Sequence, residues 1–280
     1  MVFFRVVEVF PPLFRIEPKE PKIDLELKLE QFVKGVRNIR SYADLFLVAS
    51  LKNPNLLKFS SIQAAALLQE RAKVKAAPVI VTRDANRPQI LSSILTSVGL
   101  GLHSLMLVWG DRYPGTSGVR NSYDFRSLSQ VIAEARAIAT RAGANARILA
   151  PITITNLKSR HGSKLASSRL KAGAYLLLAQ PPTTDSLGTF DAHAGLLDAA
   201  GLRGSVLPCV FPFRGEDDVS KSEKYFGWKL PGRLHRLARS GKEALTTEAR
   251  EVAKRLKLEG FPGVYLSTRG EPQMAKEILG

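Results

Sequence analysis

The chain has 280 residues, 45% hydrophobic and 24% charged, ordinary for a soluble globular protein and long enough to bury a sizeable core. A single cysteine, Cys209, excludes a disulfide framework and a cysteine-based metal cluster. Lys and Arg number 41 against 25 acids, a net charge of +16, which attracts anionic small molecules or nucleic acid.

Met1 to Phe14 is apolar but carries Arg5, Glu8 and Pro11-Pro12. It lacks the basic start and small-residue cleavage site of a signal peptide. No window approaches a membrane span, so a cytoplasmic protein without a membrane partner is expected. Short apolar runs then alternate with amphipathic stretches. The strand-like runs are Phe3–Val9, Asp44–Ala49, Pro78–Thr82, Ser104–Trp109, Ile148–Ile152, Tyr175–Gln180, Val206–Phe211 and Val264–Ser267. Several are apolar throughout, as strands buried on both faces are. Helices are predicted over Leu25–Ile39, Ser60–Lys73, Asn86–Val98, Ser127–Ala142, Ser163–Ala172, Thr189–Ala200 and Thr246–Leu258. Ser60 and Gln63 have the spacing of a capping box. Gly143, Gly173, Gly201 and Gly260 stand where helices should end. Eight strands with intervening helices predict one α/β domain over 1–280, a (β/α)8 TIM barrel, ahead of an open doubly wound sheet. No GxGxxG follows the first strand, so a Rossmann dinucleotide site has no support. Arg214 to Trp228, polar and glycine-containing, reads as a mobile loop after strand seven.

In a barrel, reacting side chains stand at the C-terminal ends of strands. Those positions are Glu8, Ser50, Thr82, Arg83, Asp84, Trp109, Asp111, Thr153, Gln180, Phe211, Ser267 and Arg269. Glu8 sits inside the apolar run Val6 to Phe10, where partial desolvation suits a general acid; an ion-paired structural role with Arg269 or Arg5 is equally consistent with the pattern. Gly110 permits a tight turn or close ligand approach, and Asp111 after it suits a cation, a ring N–H or an Asx-turn. Gln180 can donate and accept at once. Arg83 and Asp84 form a candidate ion pair. His161, His193 and His235 show no ligand spacing, His103 reads as structural, and no metal constellation is legible. Aromatics do not interleave with the basic clusters Lys158–Lys171 and Lys229–Arg239, so no stacking platform is visible. Nucleic acid therefore ranks below an anionic ligand or a plain basic surface.

Several of these segments resemble methylenetetrahydrofolate reductases. Glu8-Val-Phe-Pro-Pro12 is similar to that family's E-F-F-P-P, Gly110-Asp111 to its L-R-G-D, and Lys171-Ala-Gly-Ala174 leading to Gln180 to its K-x-x-A-G-A and I-T-Q. Leu207-Pro208 through Pro212, Pro231 with Leu234 and Leu237, and Val264-Tyr-Leu-Ser-Thr-Arg269 resemble its later motifs. The resemblance implies a flavoprotein, an oxidoreductase of one-carbon metabolism serving methionine biosynthesis. NADH or NADPH would pass hydride to FAD, and FAD would reduce 5,10-methylenetetrahydrofolate or a related tetrahydropterin to the 5-methyl form. By the same carry-over, Glu8 is the acid that opens the carrier ring and Asp111 stabilises the cation. Gln180, Arg269, Tyr225 and Phe226 hold the folate. Thr82, Trp109, Gly110, Asp111, Thr153 and Arg169 meet the flavin. Val79-Ile-Val-Thr82, Trp109 and Pro151-Ile-Thr-Ile-Thr-Asn156 depart from the family's flavin-side motifs. A flavin-free carrier-binding or methyl-transfer barrel is the alternative, followed by a basic nucleic-acid-binding protein, and a homo-oligomer is left open.

Overall fold

The computed structural model describes residues 2–15, 24–50, 56–110, 124–179, 187–226 and 230–280. Its strands form one parallel sheet of nine hydrogen-bonded segments. They are β1 (Phe4–Val9), β2 (Leu45–Val48), β3 (Ala76–Val81), β4 (Ser104–Val108), β5 (Arg147–Ile152), β6 (Ala174–Ala179), β7 (Val206–Leu207 and Cys209–Val210) and β8 (Gly263–Ser267). The two halves of β7 flank Pro208. The first pairs with β6, the second with β8. Proline offers no N–H to the ladder, but the Pro208 carbonyl accepts from Tyr265 N at 2.9 Å, so hydrogen bonding bridges the break. With β8 beside β1 and β1 beside β2, the sheet closes as the expected eight-stranded barrel.

Alternation along each strand divides the apolar residues into two cores. Val6, Leu45, Leu47, Ala77, Val79, Met106, Leu149, Leu176, Leu178, Leu207, Cys209 and Tyr265 fill the inside. Val7, Val9, Phe46, Val48, Ile80, Leu105, Leu107, Ile148, Ala150, Leu177, Val264 and Leu266 face the helices. Cys209 is thus a small interior packing residue. Gly263 opens β8 because a Cβ there would stand 1.9 Å from the Phe4 carbonyl oxygen.

The outer layer consists of α1 (Leu25–Arg37), α2 (Ser61–Leu67), α3 (Arg87–Gly99), α4 (Leu128–Arg141), α5 (Arg160–Lys171), α6 (Leu187–Ala199), α7 (Glu216–Phe226), α8 (Gly232–Arg239), α9 (Lys242–Leu258) and α10 (Met274–Leu279). Reciprocal capping boxes start α3 (Asn86 with Gln89) and α4 (Ser127 with Gln130). At α2, Ser60 accepts from Gln63 N at 3.5 Å. Gly143, Gly173, Gly201 and Gly260 all take the left-handed backbone expected of C-caps.

Two segments differ from expectation. The stretch after strand seven, expected to be a mobile loop, contains the three-turn helix α7. Glu216, Asp217 and Asp218 in its first turn complement the helix dipole. The Pro11-Pro12 exit from β1 leads into a ribbon, Leu13–Arg15 antiparallel to Leu56–Lys58, and Phe59 N donates to Pro12 O. No helix among the described residues is long and apolar enough to cross a membrane.

Candidate active site at the barrel mouth

On β1, β3, β4, β5, β7 and β8 the inward series ends at the C-terminal mouth with Glu8, Val81, Val108, Pro151, Phe211 and Ser267. Glu8, Val81, Val108 and Pro151 are half-buried, whereas their outward neighbours Val7, Ile80, Leu107 and Ala150 are buried. The barrel therefore opens to solvent on this side, and among these described residues the wall is apolar apart from Glu8 and the hydroxyl-bearing end of β8.

Glu8 and Ser267 are register partners on adjacent strands. Ser267 Oγ donates to Glu8 Oε2 at 2.5 Å, and Tyr265 Oη donates to Oε1 at 2.8 Å. Thr268, on the outer side, donates from Oγ1 to the Glu8 carbonyl at 2.7 Å. The two cations considered as partners for Glu8 are engaged elsewhere. Arg5 makes a forked contact with Asp44, Nε at 3.2 Å from Oδ2 and Nη2 at 3.2 Å from Oδ1. Burial raises the Asp44 carboxyl, and hydrogen bonds from the Arg5 side chain and backbone N–H outweigh that, so its pKa is lowered. Arg269 pairs with Asp218 of α7 and lies 4.7 Å over the Phe211 ring. Arg214 ties the same corner together, donating to the Arg269 carbonyl at 3.0 Å and meeting Glu271 at 3.2 Å.

Three strands leave the barrel through left-handed backbone, at Asp84, Gly110 and Arg269. For the two non-glycine residues this conformation is costly and tends to occur at functional sites. At Gly110 an added Cβ would meet Val81 Cγ1 at 2.4 Å, so the glycine serves a tight turn and a close strand approach. Arg83 donates to the Gly110 carbonyl from Nε at 3.0 Å and Nη2 at 2.7 Å, binding the third exit to the fourth. Beyond β2, Lys58 Nζ of the ribbon donates to Ser50 Oγ at 2.9 Å.

The remaining sequence-derived positions separate by the face of their strand. Thr82 is fully buried and donates to the Val108 carbonyl at 3.2 Å. Trp109 packs against the outer core. Arg169 donates to the Pro151 carbonyl from outside the barrel, and burial lowers its pKa. Thr153 is half-buried at the rim. Asp111 and Gln180 lie outside the described residues, as do the side chains of Tyr225 and Phe226. The residue overlooked in the sequence is Tyr265, two positions before Ser267 and hence on the same inner face. Asp218 and Arg214 were hidden in the segment expected to be a loop.

A concavity of about 680 Å³ opens beside the mouth, between the end of β3 and the first turns of α3, lined by Ile80, Val81, Ala85, Pro88, Gln89, Ile90, Ser92 and Ser93. These side chains include no acid or base. Among the described residues no group of three or more His, Cys, Asp or Glu is placed to hold a metal ion.

No family model and no curated protein matches the chain. Among solved structures it is similar to a protein described as a phosphonomutase from Burkholderia cenocepacia J2315, at 15% identity over 95% of this chain and 86% of that one, with a TM-score of 0.49. It is also similar to QR15, described as an aldolase, at 13% identity over 99% and 94% of the two chains, with a TM-score of 0.48. Neither is described as a folate reductase. The expected reduction of methylenetetrahydrofolate is accordingly set aside, and the carrier-binding alternative is not clearly better supported. Among the segments that prompted it, Pro11-Pro12 leads into the ribbon, Gly110 makes a tight turn and Arg269 anchors α7.

Proposed function

We propose that the protein is an enzyme that moves a proton on a small anionic carbonyl compound, with Glu8 as the group that carries it. One observation carries this reading. A carboxylate stands on the inside of the barrel, at the end where reacting groups of this fold are placed, and two hydroxyls of β8 hold it. An ionised carboxylate offers about four acceptor positions. Tyr265 and Ser267 each donate to one of its oxygens, which fixes the side chain at the mouth.

Glu8 takes the proton from the carbon beside the carbonyl. The C–H electron pair moves into the carbonyl group to give an enolate, and the same carboxyl returns the proton. This half-reaction is common to enolisation and to aldol addition. The chain's net charge of +16 favours approach of an anion. Proton NMR in D2O tests the proposal on a panel of small keto acids and keto phosphates. Loss of the signal of the hydrogens beside the carbonyl, faster than in buffer, supports it. A panel that exchanges no faster than in buffer contradicts it.

A further inference from the structure

Between residues 126 and 180 the sequence holds nine Lys and Arg and a single acid, Glu134, half of the chain's net charge of +16. This stretch builds one sector of the barrel wall, α4, β5, α5 and β6. Elsewhere several arginines are matched, among them Arg5 with Asp44, Arg203 with Asp198, Arg233 with Glu248 and Arg255 with Glu259. In this sector Glu134 is taken by Arg87, from outside it, at 2.9 Å. Arg136, Arg141, Arg147, Lys164 and Lys171 are exposed and make no ion pair among the described residues.

The fold also brings these cations to an aromatic ring that the sequence leaves apart from them. Ser129 and Ser168 join α4 to α5, their Oγ atoms 2.8 Å apart. The Arg136 stem crosses the turn before β6, where a Cβ on Gly173 would stand 2.9 Å from Arg136 Cγ. Two residues on, the Tyr175 ring is 50% exposed, and the Arg147 guanidinium lies 4.9 Å from its centre. Arg141 and Lys171 end their helices at this same N-terminal side of the barrel, and Lys164 continues the face two turns up α5.

We propose that this face binds single-stranded nucleic acid, its phosphates on the unmatched Arg and Lys side chains and a base stacked on Tyr175. Unmatched like charges on one surface repel one another unless a counter-charge is supplied. Guanidinium predominates, and its planar fork matches phosphate. An exposed ring backed by a cation is the stacking element that separates a strand-binding face from a merely basic one.

The test is fluorescence anisotropy with a labelled oligouridine over a range of salt. Wild-type protein should bind with an affinity that falls as salt rises. Arg141→Glu combined with Lys171→Glu should weaken binding at low salt by about tenfold or more and flatten the log–log salt slope by roughly 1.4, at about 0.7 for each phosphate no longer neutralised. Tyr175→Ala should weaken binding by about tenfold with the slope unchanged, and Tyr175→Phe should restore it. Arg236→Glu combined with Arg239→Glu, the same charge change on α8, should have little effect. The proposal is overturned if both charge-reversal pairs weaken binding equally, if wild type shows no salt-sensitive binding, if Tyr175→Ala binds like wild type, or if phosphatidylserine vesicles bind this face in preference to the oligonucleotide.

Discussion

Glu8 and Ser267 face each other across the β1–β8 seam, and their side chains meet at 2.5 Å inside the mouth of the barrel. With Tyr265 on the other carboxylate oxygen, the last strand acts as a template that orients a residue on the first.

Removing one donor should therefore affect Glu8 without disturbing the wall. Tyr265→Phe keeps the buried ring and deletes one hydrogen bond to a carboxyl group. The expected stability loss is about 1–3 kcal/mol, read by urea denaturation, with slower proton exchange on any substrate found. Unchanged stability and unchanged exchange would mean that the Tyr265 hydroxyl does not orient Glu8.

Gly110→Ala should destabilise the protein by more than Gly143→Ala does. Both positions have positive φ, but only at Gly110 does a Cβ collide with Val81 Cγ1, while nothing lies within 4 Å of Gly143. Left-handed strain of about 1–2 kcal/mol is common to both, and the collision adds to it at Gly110. Equal denaturation midpoints would show that the β3–β4 approach relaxes freely.

The Arg5–Asp44 pair gives a pH dependence of known sign. The folded-state pKa of Asp44 is lowered, so its contribution to stability is present above the unfolded pKa and is lost as pH falls through the folded one. Asp44→Asn should cost about 0.2–1 kcal/mol near neutral pH, because the pair is about a third exposed and screened. The difference from wild type should vanish in strong acid. A difference that grows on acidification would contradict the pairing.

Asp218→Asn removes the charge that Arg269 holds on α7. Amide hydrogen exchange in α7 should accelerate while β8 stays protected, because α7 otherwise buries little more than Val219 and Ser222 among its described side chains. Unchanged exchange would assign the anchoring to those two residues.

The barrel was legible because its strands are apolar runs and its helices end at glycines that adopt the required backbone. α7 was not, since a helix with one fully buried valine and mainly charged neighbours has no apolar stripe to read. At the strand ends the difficulty was parity. Trp109 and Gly110, or Val81 and Thr82, differ by one position and so face opposite sides of the sheet. Position in a strand end alone placed Thr82 and Trp109 with the mouth; the register turns both toward the helices. Tyr265 becomes legible only when parity is counted, because its spacing of two from Ser267 puts it on the Glu8 side. The Arg147–Tyr175 contact joins the starts of two neighbouring strands, a proximity that linear spacing does not carry.

The most direct test of Glu8 as proton carrier compares wild type with Glu8→Gln, which keeps shape and hydrogen-bonding capacity but cannot accept the proton. The readout is the rate of deuterium incorporation into the best substrate of the panel, with a thermal melt confirming that both proteins are folded. Exchange by the variant should fall by about 10²–10⁴-fold, the usual contribution of a positioned acid–base group, with little change in melting. A folded Glu8→Gln protein that exchanges at the wild-type rate would contradict the account.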